Sequence, residues 1–257
     1  MTTLLAAAGL DPAALAVAIA AFFVGAFMKG ALGFGMPLIT MATVPLVAPV
    51  EVALALNALV AGILNVAQTF EGGRAAAALR RFWPAVAALG PGVGAGALLV
   101  TAVDERTLRF VLGVTVLAFV ALSVTSAALR IPPERERSAG VVTGLVAGVI
   151  GGMTTANGPV LLMYVVGLGL ERTMFRAALG LLFLATAIFA GAGFLAVGVI
   201  DGPRAALALV CLGPAVAGAW MGTRLGRRLD QAVFRGAVMA GLTLIGLNYV
   251  VRASGLL

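Results

Sequence analysis

Along this chain apolar runs follow one another, with charge confined mostly to the short gaps between them. Ten segments can be drawn, over residues 12–29, 35–49, 51–70, 82–103, 107–129, 138–155, 158–170, 173–199, 203–223 and 231–251. Uncharged runs of about twenty residues are the length that crosses roughly 30 Å of hydrocarbon as helix. The alternating pattern of an outer-membrane barrel is absent. The pattern predicts an all-α integral membrane protein, a helical bundle.

Two runs do not fit single crossings. From Pro12 to Val50 the only charge is Lys29, and inside that stretch sits KGALGFGMP (residues 29–37), with three glycines and a proline where a continuous helix is wanted. Between Arg137 and Glu171 lie 33 uncharged residues, about 50 Å of helix at ~1.5 Å per residue. That is too long for one crossing and too short for two comfortable ones. The break is expected at TTANGPV (154–160), where Asn157, Gly158 and Pro159 are helix-ending or helix-starting residues. GALGFGMP is the matching place in the first stretch. Each predicts a discontinuous helix, two short pieces joined deep in the membrane as a hairpin or as thin crossings beside a water-filled funnel. The nominal count of transmembrane helices is then 8–10.

The segments fall into five and five around the most polar run of the chain, RIPPERERS (130–138). GFGMPL (33–38) matches ANGPVL (156–161), LGPGVGAG (89–96) matches LGPAVAGAWMG (212–222), and DERTLRF (104–110) matches DQAVFRG (230–236). This reads as an internal duplication, with a first transmembrane repeat over 1–129, an inter-repeat loop over 130–138 and a second repeat over 139–257. Five segments per half is odd, so the second repeat enters the membrane from the opposite face, an inverted-repeat plan.

Composition excludes a water-soluble globule: 62% of residues are hydrophobic, 11% charged, and none is histidine. A net charge of +7 would suggest nucleic acid as partner in a soluble protein, but the arginines here cluster in short loops, and membrane orientation accounts for them. If all ten segments alternate sides, thirteen of the 17 basic residues fall on one side, Lys29, Arg172, Arg176, Arg227 and Arg228 among them, and only Arg106, Arg109, Arg204 and Arg252 on the other. The crowded side is expected to be cytoplasmic, so both termini are expected on the outer side of the inner membrane. Cys211 is the sole cysteine, which excludes an intramolecular disulfide, and without histidine a metal site has few ligands. No metal and no cofactor is expected. No basic residue precedes Lys29, so a cleaved signal peptide is not expected.

The breaks are where chemistry is expected. An interrupted helix leaves backbone N–H groups that lipid cannot satisfy, and they become available to a ligand. Pro37 and Pro159 suit the first turn of the second piece, and Gly33, Gly35 and Gly158 let a solute approach the backbone. Two such helix N-termini facing each other near the midplane favour an anion. Lys29 adds a full positive charge; alternatively it snorkels to the surface from a helix end. Asn57, Asn65 and Gln68 fall within about 80° on one helix face, turned to a neighbour or to a cavity. Arg176 pairs with an anion or marks the cytoplasmic boundary. Glycines at 140, 144, 148 and 152, and at 218, 222 and 226, form stripes that suit close helix contacts.

KGALGFGMPLITMATVP (29–45) with Asn65 and Gln68, then GLVAGVIGGMTTANGPVLLMY (144–164) and FRAAL (175–179), resemble the two signature regions of the TauE/SafE sulfite exporter family, over about residues 15–250. The resemblance implies a secondary carrier of sulfite, organosulfonates or other small organic anions, often outward. It also raises Arg176 to a site residue, beside Lys29, Gly33, Gly35, Asn65, Gln68, Asn157 and Gly158. The first signature carries Phe34 and Met36 where many members have glycines, which makes the pocket here bulkier and greasier.

A membrane enzyme would need a nucleophile with a base, paired carboxylates or a metal site, and the apolar segments supply none of these. No GxxxxGK[ST] loop surrounds the single lysine, so ATP is not used by this chain. An anion-selective channel is the alternative to a carrier working by alternating access. The coupling ion, H+ or Na+, and the oligomeric state are left open, with Glu51 either a proton carrier or an exposed loop carboxylate.

Overall fold

The computed structural model describes residues 10–125, 130–225 and 231–254. Arg227, Arg228, Gly226 and both chain ends therefore lie outside the described residues. Ten α-helices are present among those described: α1 (Pro12–Leu32), α2 (Met36–Thr43), α3 (Val50–Phe70), α4 (Ala75–Ala102), α5 (Glu105–Thr125), α6 (Glu136–Thr154), α7 (Gly158–Gly167), α8 (Arg172–Ala196), α9 (Gly202–Leu225) and α10 (Gln231–Ser254). Six of them, α1, α3, α4, α6, α8 and α9, are long and apolar enough to cross a membrane. Large apolar side chains such as Leu98, Leu195, Leu209 and Leu244 stay more than half exposed, as a lipid-facing surface requires.

Several expected boundaries shift for identifiable reasons. Segment 35–49 is no continuous helix: α2 ends at Thr43, a 3-10 turn over Val44–Leu46 follows, and Pro49 precedes α3. Helix α4 begins at Ala75 rather than at residue 82. Its first turns carry Arg80 and Arg81, both exposed, and Arg81 forms a two-pronged ion pair with Glu136 of α6 at 2.6 and 2.8 Å. At the other end of α4, Asp104 opens α5: Thr107 donates its N–H to Asp104 Oδ1 at 2.7 Å, and its hydrogen bonds hold that exposed carboxyl below its ordinary range.

Packing between helices rests on the glycine stripes. A Cβ on Gly218 or Gly222 of α9 would strike the carbonyl of Phe23 or Phe27 of α1, and one on Gly30 of α1 would strike Ala219 of α9. Helices α4 and α6 meet the same way, Gly92 and Gly96 against the backbone around Leu145–Gly152, and Gly144, Gly148 and Gly152 against Ala85, Leu89 and Val93. Backbones approach this closely only where no side chain intervenes. The packing is reciprocal: α1 with α9 and α6 with α4, α3 with α8, α5 with α10. Exchanging each helix of the first five for its counterpart in the second five leaves these pairings unchanged.

Both early helices of each set are interrupted. Gly33 (φ 88°) and Gly35 (φ 105°) take left-handed conformations that close α1 and turn the chain back. Met36 then packs against Gly25, so α2 starts about 10 Å of helix back from the end of α1. In the second set Thr155 (φ 53°) closes α6, and Asn157 reaches back to donate to the Ala147 carbonyl at 3.1 Å. Helices α2 and α7 therefore begin well inside the bundle.

Candidate functional site

Lys29 lies in the last turn of α1, but its side chain turns inward: the residue is only 8% exposed and does not snorkel to the surface. Nζ donates to Asn65 Oδ1 at 2.6 Å and Gln68 Oε1 at 2.5 Å, both on α3, and stands 5.6 Å from the Phe183 ring centroid on α8. Gln68 uses its other end as well, Nε2 donating to the Gly33 carbonyl at 2.9 Å. One side chain thus ties the left-handed turn after α1 to α3 and to the lysine.

Behind Lys29 is a cavity of about 40 Å³. Its walls include Lys29, Asn65, Asn57, Phe34, Gly35 and Pro37 from the first set, and Thr155, Ala156, Asn157, Gly158, Phe183 and Thr186 from the second. Both interruptions border the same space. No side chain caps α2 or α7 at its N-terminus, although Asn157 occupies the cap position of α7. Its amide is committed elsewhere, Nδ2 donating to Ala147 O at 3.1 Å and Thr186 Oγ1 at 3.0 Å. Prolines at the start of both helices fix the backbone without needing a partner for an N–H. Two positive helix ends and an ammonium in a mostly apolar lining form a setting that favours a small anion.

Thr155 adds a further donor. It is the only non-glycine residue with positive φ among the described residues, a costly conformation for a β-branched side chain. Its buried Oγ1 has no hydrogen-bond partner there and it lines the cavity.

A second, wider hollow of about 220 Å³ lies on the arginine-rich side, lined by Gly33, Gln68, Arg172, Phe175, Arg176 and Gly222 among others. Gln68 and Gly33 line this vestibule and not the inner cavity, so the Lys29–Gln68–Gly33 hydrogen bonds stand between the two. Arg176 also faces the vestibule, ion-paired to Glu71 at 2.7 Å, while Arg74 and Glu171 pair beside it at 3.0 Å.

The structure thus brings Lys29, Gly35, Asn65, Asn157 and Gly158 to one cavity and sets Gly33, Gln68 and Arg176 in the second hollow. The polar face of α3 divides: Asn57 accepts from Thr40 Oγ1 at 2.7 Å, away from the lysine. Phe34 narrows the cavity and stacks edge-on to Phe119 of α5 at 6.2 Å, whereas Met36, expected in the pocket, is fully buried between helices against Gly25. Glu51 sits in the first turn of α3, about 21 Å of helix from Asn65. Sequence reasoning missed Thr155, Phe183, Thr186 and Arg172. Phe183 and Thr186 lie inside a long apolar run, where nothing in the local pattern marks them.

An all-helical, multi-pass membrane protein with interrupted helices around a buried lysine has the architecture of a permease. A family model described as Sulfite exporter TauE/SafE matches residues 17–249, and the chain belongs to that family, whose members are transporters. No curated protein and no solved structure matches it significantly.

Proposed function

We propose that this protein is a secondary carrier that exports small anions, sulfite or short sulfonates, across the inner membrane by alternating access. The observation that carries this reading is the meeting of Lys29 and the uncapped starts of α2 and α7 at one cavity. A volume of about 40 Å³ corresponds to roughly three waters at ~10–15 Å³ each, which suits a solute of a few heavy atoms. The hydrogen-bonded partition of Lys29, Gln68 and Gly33 supports a carrier with a closed gate over an open channel.

In this reading residues 1–129 and 139–257 are inverted repeats, and the reciprocal pairing of α1 with α9 and α6 with α4 supports it. The arginine-rich face is cytoplasmic and both termini are outside. Arg172 and Arg176 draw the anion into the vestibule, the Lys29 partition opens, and the anion exchanges water for the ammonium, the Thr155 hydroxyl and the two helix ends. Rocking of one helix set on the other then exposes the cavity to the opposite side.

The test is counterflow. Proteoliposomes holding purified protein and internal unlabelled sulfite are expected to accumulate labelled sulfite transiently, faster than sulfite-free vesicles. A conductance far above carrier turnover, with no acceleration by internal anion, would make the protein a channel.

A further inference from the structure

The hydrogen-bond census at Lys29 is matched to its neutral form. An ammonium carries three N–H donors and an unprotonated amine two. The protein supplies two acceptors, Asn65 Oδ1 at 2.6 Å and Gln68 Oε1 at 2.5 Å. What remains around Nζ is the Phe183 ring and the cavity. Among the described residues no third oxygen accepts from Nζ, and an anion in the cavity provides one.

Among the described residues the site holds no counter-ion, and Lys29 is the only titratable one that lines the cavity. The described charged groups on the surrounding elements lie elsewhere. On α9, Arg224 lies over the Trp220 ring at 3.9 Å, and Arg204 pairs with Asp201 at the far end. On α3, Glu51 is in the opposite turn, and Glu71, just beyond the helix, pairs with Arg176. Helix α8 contributes Arg172 and Arg176, and α2 and α7 contribute no charge. A lone ammonium in such a lining is costly, and losing the proton or gaining an anion each removes the cost.

We propose that Lys29 is the proton-binding site that couples transport: it takes up a proton with the anion on one side of the membrane and releases both on the other. This rests on the anion-carrier reading above. In the loading step the amine lone pair accepts a proton from hydronium in the vestibule, leaving water, and the resulting ammonium donates its third N–H to the anion. No other bond forms or breaks. Unloading reverses the step, and the carrier returns empty with Lys29 neutral and both its N–H groups bonded again to α3. Proton and anion binding are thereby reciprocal, each strengthening the other.

The experiment measures proton uptake on anion binding by titration calorimetry of the full-length protein in buffers of different ionisation enthalpy. The probes are methanesulfonate, whose sulfonate stays ionised so that any proton belongs to the protein, and sulfite, corrected for its own titration. One proton per bound anion is expected at alkaline pH, with affinity falling about tenfold per pH unit there. In proteoliposomes Lys29→Arg, whose guanidinium cannot release its proton, is expected to lower the ratio of net flux to anion exchange at least tenfold. Anion binding without proton uptake in the wild type, or proton uptake persisting in Lys29→Arg, would overturn the assignment and leave the anion site standing. Should Lys29→Arg not fold, the wild-type proton count decides alone. If neither anion binds or shows counterflow, the carrier reading fails, and the coupling with it.

Discussion

Lys29 Nζ lies 2.6 Å from Asn65 Oδ1, a bond between residues 36 positions apart that fastens the end of α1 to α3 inside the bundle. Its consequence is electrostatic as well as structural. Asn65→Asp would give the ammonium a permanent partner of opposite charge, with nearly the same shape. Affinity for sulfite is expected to fall at least tenfold, about 1.4 kcal/mol, while thermal unfolding is little changed; calorimetry and a melting curve on the same preparation check both.

Thr155→Gly separates stability from binding. Glycine relieves the left-handed backbone, a strain of about 1–3 kcal/mol, partly offset by the entropy glycine loses on folding, about 1 kcal/mol. It also deletes the hydroxyl that lines the cavity. The expected outcome is an unchanged or higher Tm with weaker anion binding, by about the 1.5–3 kcal/mol of a hydrogen bond to a charged group.

Arg176 and Glu71 form a pair that is about one-third and one-half exposed. Such pairs add ~0–1 kcal/mol to stability, so Glu71→Gln is expected to leave Tm nearly unaltered. It frees the guanidinium toward the vestibule, and uptake at low ionic strength is expected to quicken about two- to tenfold by electrostatic steering. The gain should vanish in high salt, which initial-rate measurements at two ionic strengths would reveal.

Neighbouring glycines of α4 make a control pair. A Cβ on Gly96 would strike the Val149 carbonyl of α6, whereas one on Gly94 meets nothing. Gly96→Val is expected to cost about 1–3 kcal/mol or more through overpacking, and Gly94→Ala to be neutral or to stabilise by up to ~1 kcal/mol. Thermal unfolding in detergent distinguishes them.

The two interruptions were legible because glycine and proline have only a few backbone uses, and GFGMP and ANGP each combine a turn with a helix start. Length arithmetic over residues 138–170 required a break without any structure. The depth of each return was not legible: that Met36 lies beside Gly25, or that Asn157 reaches Ala147, depends on packing between segments and not on local propensity. Thr155 escaped notice because threonine rarely occupies the left-handed region. Conversely Met36 looked like a pocket residue from its place in the motif, but it is the first residue of α2, just past the left-handed Gly35, and is turned into the core. Helical spacing showed Asn57, Asn65 and Gln68 sharing a face, but eight residues between the first two are about 12 Å along the axis, enough to give them different partners.

Because α1 makes its widest seam with α9, the backbone of Phe23 and Phe27 remains uncovered by Gly218 and Gly222 until α9 has been synthesised. About 190 residues separate Leu32 from Leu225, which at ~5–20 residues per second takes roughly 10–40 s on the ribosome. For that interval the nascent chain must shelter a bare groove from lipid and from neighbouring chains. Biogenesis, more than the finished fold, is therefore where substitutions at Gly218 and Gly222 should first be felt, as degraded chains and low yield.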